Sequence, residues 1–356
     1  MQKTVESFCE RLGLRVPILL APMAGVPAPS LSANIATAGG LGACGVLLMK
    51  PADIGQWSQS FLRATGTNAF QLNNWIPDPP PLRDERHETA VREFLAQWGP
   101  AVPPEAADAR PPDFEAQCHA MLDAKPRAIS SIMGVYPPAV VSEMKKRGIL
   151  WLANATTVAE ARIAEQAGAD FIVAQGMEAG GHRGSFDNRN AEAQTVGLFA
   201  LLPAIIDLVR VPVIATGGIA DARGIAAAFM LGASAVQIGT GFLRCPEAEM
   251  PSAWAEALAR TMPEDTVLTR AFSGRAGRAL VTDYVRAAAA PKPDTPVPAP
   301  YPVQRGLTAA MRKKAVEAGD LQRMQAWAGQ SARLARKEPA GELVTRLWRE
   351  ASELLG

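Results

Sequence analysis

Short apolar, β-branched runs alternate along this chain with longer segments whose apolar positions fall three or four residues apart. That pattern is strands alternating with amphipathic helices. Strands are predicted to begin near Ile18, Gly42, Phe70, Ala128, Leu150, Phe171, Val213 and Ala235. Helices are predicted between them at Pro29 to Ala38, Pro51 to Ala64, Phe114 to Ala124, Pro138 to Arg147, Val158 to Ala167, Gly197 to Val209 and about Ile225 to Leu231. Regular alternation implies a parallel sheet. Eight units favour a closed (β/α)8 TIM barrel over an open doubly wound sheet, whose GxGxxG after the first strand is absent.

Two stretches break the rhythm. Residues 74–112 carry proline clusters around one amphipathic helix, about Glu85 to Gln97, and read as an insertion after strand three. An insertion this long is expected to act as a lid or wall over a site, or else as inert decoration or an oligomer contact. After the eighth strand, Pro246 to Arg260 reads as helical and Thr266 to Tyr284 as extended around an Arg/Gly turn. Ala290 to Pro302 reads as a proline-rich connector, followed by two helices at about Leu307 to Ala328 and Pro339 to Leu355. The expected division is a barrel over 1–260 that contains the insertion, and a helical C-terminal extension over 261–356 that packs on it.

The barrel's expected working end follows from its glycines. Val211-Pro-Val-Ile-Ala-Thr-Gly-Gly218 and Ala233-Ser-Ala-Val-Gln-Ile-Gly-Thr240 are strands that each break into a glycine turn. In a parallel barrel such turns open on one face, where bare N–H groups and a following helix N-terminus suit a phosphate. A third loop, Gln175-Gly-Met-Glu-Ala-Gly-Gly-His-Arg-Gly184, sets His182 and Arg183 among glycines at a strand end. The other two histidines, His87 and His119, lie on predicted helices, so His182 is the better site candidate, its alternative being a structural imidazole bonded to backbone. Asn73 and Gln175, also at strand ends, can donate and accept, which suits the edge of a heteroaromatic ring.

Composition narrows the field by exclusion. A net charge of +1 with acids and bases interspersed favours neither nucleic acid nor an anionic membrane. Four scattered cysteines and no secretory leader suggest reduced thiols in a cytoplasm. No metal-ligand spacing, GxSxG elbow or P-loop is present. Oligomeric state is not legible, and a homo-oligomer stays open.

Together with Ala21-Pro-Met-Ala-Gly25 and Ala38-Gly-Gly-Leu-Gly42, the three loops give the chain a close resemblance to the nitronate monooxygenases, spanning about Pro17 to Arg278. The loop ending in Gly-Gly-His-Arg-Gly is its most specific part. The resemblance implies a TIM barrel holding FMN non-covalently and oxidising alkyl nitronates with O2 to a carbonyl compound and nitrite, without a metal. Carried over by position, FMN contacts fall on Asn73, Gln175, Gly180, Gly218, Gln237, Ile238, Gly239 and Thr240, and Gly181 and Gly217, in the same glycine loops, complete the expected cofactor-binding set. Ala21, Pro22 and Met23 would lie along the isoalloxazine ring. His182 and Arg183 would attract the anionic substrate, and Met23, Ile132 and Met133 would form an apolar wall.

One departure matters. One class of the family carries a catalytic histidine in a Ser-Phe-His-Phe-Gly pattern on strand four. Here the segment is Ser130-Ser-Ile-Met-Gly134, with Ile132 at that position. Either His182 serves instead, or the substrate arrives already ionised. The alternatives are an FMN-dependent NAD(P)H reductase of quinones or enoyl thioesters on the same barrel, and a non-redox sugar-phosphate enzyme using a lysine such as Lys50.

Overall fold

In the computed structural model, which describes residues 2–26, 28–289 and 295–356, all eight predicted strand starts are first residues of strands. The strands are β1 (Ile18–Leu20), β2 (Gly42–Gly45), β3 (Phe70–Trp75), β4 (Ala128–Ile132), β5 (Leu150–Ala155), β6 (Phe171–Gln175), β7 (Val213–Thr216) and β8 (Ala235–Ile238). Each runs parallel to its sequence neighbours, and β8 returns to β1 with Val236 opposite Ile18. Between β1 and β2 the ring closes through the Leu19–Leu41 bridge, where the Leu20 N–H donates to the Leu41 carbonyl at 2.9 Å. This is the (β/α)8 TIM barrel. Helices cover the outside and side chains fill the inside, so almost every strand residue is buried, which is why the runs read as nearly unbroken apolar stretches.

One element escaped the pattern. Gln2–Leu12 is a helix whose buried Phe8 meets Phe171 edge-on at 5.1 Å. Its apolar positions are few among charged ones, and packing against the barrel rather than propensity holds it in place.

The C-terminal segment differs from expectation in two places. Thr266–Thr269 and Gly277–Leu280 form an antiparallel hairpin, but Asp283–Ala289 is helical, so the extended reading to Tyr284 ends too late. Tyr284 points inward and its hydroxyl donates to the Ala271 carbonyl at 2.9 Å. The single helix expected over Leu307 to Ala328 is instead Val303–Leu307 and Ala309–Glu317, stopped by Gly319 at φ +65°. Trp327 then bridges Ala279 of the hairpin. The last helix, Ala340–Leu355, lies as expected, burying Leu343, Val344 and Leu347 while Trp348 meets Phe229 at 5.8 Å. The first part of the expected connector, residues 290–294, lies outside the described residues.

A second apolar cluster ties the insertion to this segment. Val91, Leu95 and Ala107 pack with Phe272, Tyr284, Val303, Leu307 and Met311. Beside it Arg275, 2% exposed, pairs with Asp78 of the insertion at 2.8 Å and also donates to the Ser185 carbonyl. Among the described residues, no helix is long and apolar enough to cross a membrane, and no group of three or more His, Cys, Asp or Glu is placed to hold a metal. All four cysteines are free, and burial pushes the Cys44, Cys118 and Cys245 thiols up to about 12.

Replacing Asp78 by alanine strands a buried guanidinium. Because Asp78 is partly solvated, the expected loss is about 2 to 3 kcal/mol, at the low end for a broken buried pair, read from urea unfolding.

Candidate active site

Loops at the C-terminal ends of the strands enclose a cavity of about 770 Å³. Its floor is polar by construction. Gln71, fully buried, donates to the Gln237 Oε1 at 3.0 Å and to the Leu20 carbonyl at 3.1 Å, which leaves the Gln237 amide nitrogen for the cavity. Asn73 donates to the Ser130 hydroxyl at 3.0 Å and keeps its carbonyl oxygen facing inward. Both residues thus offer hydrogen-bonding groups to the one cavity, from β8 and β3.

Gln175, the last residue of β6, fastens the loop that follows. Its amide nitrogen donates to the His182 carbonyl at 3.1 Å and its oxygen accepts from the Gly184 N–H at 2.7 Å. Glu178 caps the next helix, Leu198–Ile206, by accepting the Leu198 N–H with both oxygens at 2.9 and 3.0 Å. The C-terminal hairpin completes the loop. Gly181 and His182 pair antiparallel with Arg278 and Gly277, and Arg278 donates to the Met177 carbonyl at 2.9 Å.

His182 therefore reaches the cavity from a loop held on three sides. Its Nε2 lies 2.7 Å from the Ser273 hydroxyl, and its ring is edge-on to Trp75 at 4.6 Å and to Trp327 at 4.8 Å. Burial, reinforced by the nearby Arg275, Arg305 and Arg312 guanidinium groups, holds the imidazole at about 3, so the ring is neutral at physiological pH.

The glycines have specific physical reasons. Gly217 and Gly218 sit at φ +107° and +72°, where L side chains are strained, just before the N-terminus of helix Ala222–Met230. A Cβ on Gly239 would stand 3.2 Å from the Ala21 Cβ, against the wall that Ala21, Pro22 and Met23 form. A Cβ on Gly180 would lie 2.4 Å from the Gly329 N, because the C-terminal segment after Trp327 passes directly over this loop. The Gly329 N–H donates to the Thr240 hydroxyl at 3.0 Å and the Gln330 N–H to the Glu178 carbonyl at 2.9 Å.

Ala21, Pro22, Met23, Asn73, Gln175, Gly180, Gly181, His182, Gly217, Gly218, Gln237, Gly239 and Thr240 all line this one cavity. Ile238 does not; its side chain is 1% exposed and belongs to the barrel core. Arg183 does not either. Strand alternation turns it away from His182, and it is 2% exposed, its guanidinium within reach of the Gln175 and Gln194 carbonyls. Met23 and Ile132 line the cavity, whereas Met133, at φ +70°, is buried outside it. Lys50 is exposed at a helix start away from the lining. Sequence reasoning missed Trp75, Ser273, Tyr301, Arg305, Arg312 and Trp327, all of which line the cavity. Only Trp75, two residues after Asn73 at the end of β3, carried a local signal.

A parallel barrel whose glycine loops and imidazole converge on one cavity at the strands' C-terminal ends has its candidate site where (β/α)8-barrel enzymes keep theirs. The family model described as nitronate monooxygenase matches residues 7–350, and the chain belongs to that family. It is 39% identical to a nitronate monooxygenase of Paraburkholderia phytofirmans, covering 96% of this chain and 94% of that one. It is 36% identical to the solved nitroalkane oxidase of Streptomyces ansochromogenes, with a TM-score of 0.86 and 96% of each chain covered. The FabK structure from Thermotoga maritima is 28% identical with a TM-score of 0.76, covering 98% of this chain and 96% of that one. The family is flavin-dependent. The residues present fit such a group: mixed donors and acceptors on the floor, an apolar wall, and glycine turns that a Cβ would fill.

Gly180→Ala drives a methyl into backbone and is expected to cost about 2 kcal/mol and weaken flavin retention at least tenfold. Gly181→Ala meets open space and should cost only about 1 kcal/mol, for its φ of +74°. Urea unfolding and visible absorbance after gel filtration separate the two.

Proposed function

We propose that this protein is an FMN-dependent nitronate monooxygenase that oxidises alkyl nitronates with O2 to a carbonyl compound and nitrite. Family membership over nearly the whole chain supports the reaction, and the cavity's make-up supports the cofactor. FMN, when bound, would supply the redox chemistry between nitronate and O2. The Gly217-Gly218 and Gly239-Thr240 turns would hold its phosphate. Asn73, Gln175 and Gln237 would read its ring edge, with Gly180 and Gly181 alongside and Ala21, Pro22 and Met23 against one face.

The rest of the chemistry falls to this chain's own groups. The single observation that carries the reading is the placement of the His182 imidazole, held against the Ser273 hydroxyl and edge-on to Trp75 and Trp327 in the loop that most resembles the family. A neutral ring can hydrogen-bond an already ionised nitronate without having to remove a proton from it. With its protonated form confined to acid near 3, the same ring is a poor acceptor for the proton of a neutral nitroalkane, so the substrate suited to this site is the ionised nitronate. Ile132 contributes apolar surface where a histidine of the other pattern would titrate. Arg183 serves as a brace for the loop, not as a substrate contact.

Aerobic turnover of nitronates of several chain lengths should release nitrite without NADH or NADPH. His182→Gln, which removes the imidazole but keeps a hydrogen-bonding side chain, should lower kcat/KM for a nitronate about tenfold or less, and neutral nitroalkanes should turn over more slowly than their nitronates in both enzymes. Between about pH 6 and 9 the nitronate rate should show no histidine inflection, since a proton is taken up only near 3. The FabK likeness favours one other reading, an NAD(P)H-dependent reductase. Anaerobic bleaching of the flavin by NADH or NADPH, with no nitrite formed from any nitronate, would select it.

A further inference from the structure

The charges facing the cavity are unevenly matched. Lys313 and Glu317, at its edge, lie 3.9 Å apart and face solvent. Arg312 is tied to neutral groups only, the Thr308 hydroxyl and the Gln325 amide oxygen at 3.1 Å and the Arg305 carbonyl at 2.9 Å. Among the described residues, the half-buried Arg305 guanidinium makes neither hydrogen bond nor ion pair, and the Tyr301 phenol and the Arg312 guanidinium lie near it.

Tyr301 presents the same anomaly from the other side. Its hydroxyl is buried without a hydrogen-bond partner although the residue lines the cavity. Its ring is tilted against Trp75 at 5.3 Å, and Trp75 in turn abuts His182. A buried phenol without a partner and a desolvated cation without a counter-ion are each costly. An anion bound between them would satisfy both, since guanidinium and phenol are donors suited to the paired oxygens of a carboxylate-like group. Burial keeps the Tyr301 hydroxyl protonated, and hence a donor.

We propose that Arg305 and the Tyr301 hydroxyl form an oxyanion subsite that receives the ionised NO2 group of the substrate beside Trp75 and His182, and so selects nitronates over neutral nitroalkanes. The choice of anion rests on the nitronate-oxidising reading above; the existence of the subsite does not. Arg312 is a positioning residue that fixes the turn carrying Arg305.

The test uses the flavin-loaded enzyme and its Arg305→Ala, Arg305→Lys and Tyr301→Phe variants. Sodium nitrite binding is measured by calorimetry at fixed ionic strength, and steady-state rates are measured with ethyl nitronate and nitroethane. Arg305→Ala should raise both the nitrite Kd and the ethyl nitronate KM at least tenfold. The KM for nitroethane, which carries no charge for the guanidinium to hold, should rise less than the KM for ethyl nitronate. Arg305→Lys should recover most of the loss, and Tyr301→Phe should show about a threefold rise. If Arg305→Ala fails to fold, the lysine and phenylalanine variants decide, with Tyr301→Phe at the wild-type Kd counting against the subsite. A nitrite Kd and nitronate KM within twofold of wild type in Arg305→Ala would overturn it. Nitrite affinity lost on removing Arg305, in an enzyme that turns over no nitronate, would keep the subsite and remove the nitronate reading.

Discussion

The arrangement of this site depends on a two-residue piece of antiparallel pairing, Gly181 and His182 against Arg278 and Gly277. The loop after β6 is rich in glycine, and fixing such a backbone is entropically expensive. Alone, Gln175 holds only its far end. The hairpin supplies the second hold, and the Arg183 N–H donating to the Ala276 carbonyl at 2.9 Å extends it. Because the same hairpin carries Ser273, Arg275 and the bridge to Trp327, one pairing sets both the position of the imidazole and its surroundings.

Those surroundings explain the electrostatics. His182 is flanked by apolar rings and lies within the field of three arginines, of which, among the described residues, Arg275 alone has a carboxylate partner, Asp78. A cavity so composed disfavours a protonated histidine and favours an anion. The chemistry expected of a nitronate, which needs no proton removed, is compatible with an imidazole that stays neutral and with an isoleucine at position 132.

The barrel was legible because its signals are local. Each strand is a short apolar run between a turn and an amphipathic helix, and all eight starts, from Ile18 to Ala235, could be read without knowing what they pair with. The glycine loops were legible for the same reason. What could not be read is what arrives from far along the chain. Tyr301, Arg305, Arg312 and Trp327 come from the C-terminal segment, and no periodicity within it indicates which face meets the barrel mouth. Arg183 misled because adjacency to His182 suggested a shared role, whereas in a paired strand neighbours point to opposite sides. The helix expected to run to Ala328 ended at Glu317 because Gly319 and the pairing of Trp327 with Ala279 override an otherwise helical pattern.

The central claim is that the tail closes over the loop and holds His182 neutral against Ser273. Nuclear magnetic resonance of isotope-labelled histidine, with the His182 signal assigned by comparison with His182→Gln, reads this directly. The account predicts a neutral ring down to at least about pH 5. A His182 signal that titrates near the ordinary histidine value of about 6.5 would contradict it.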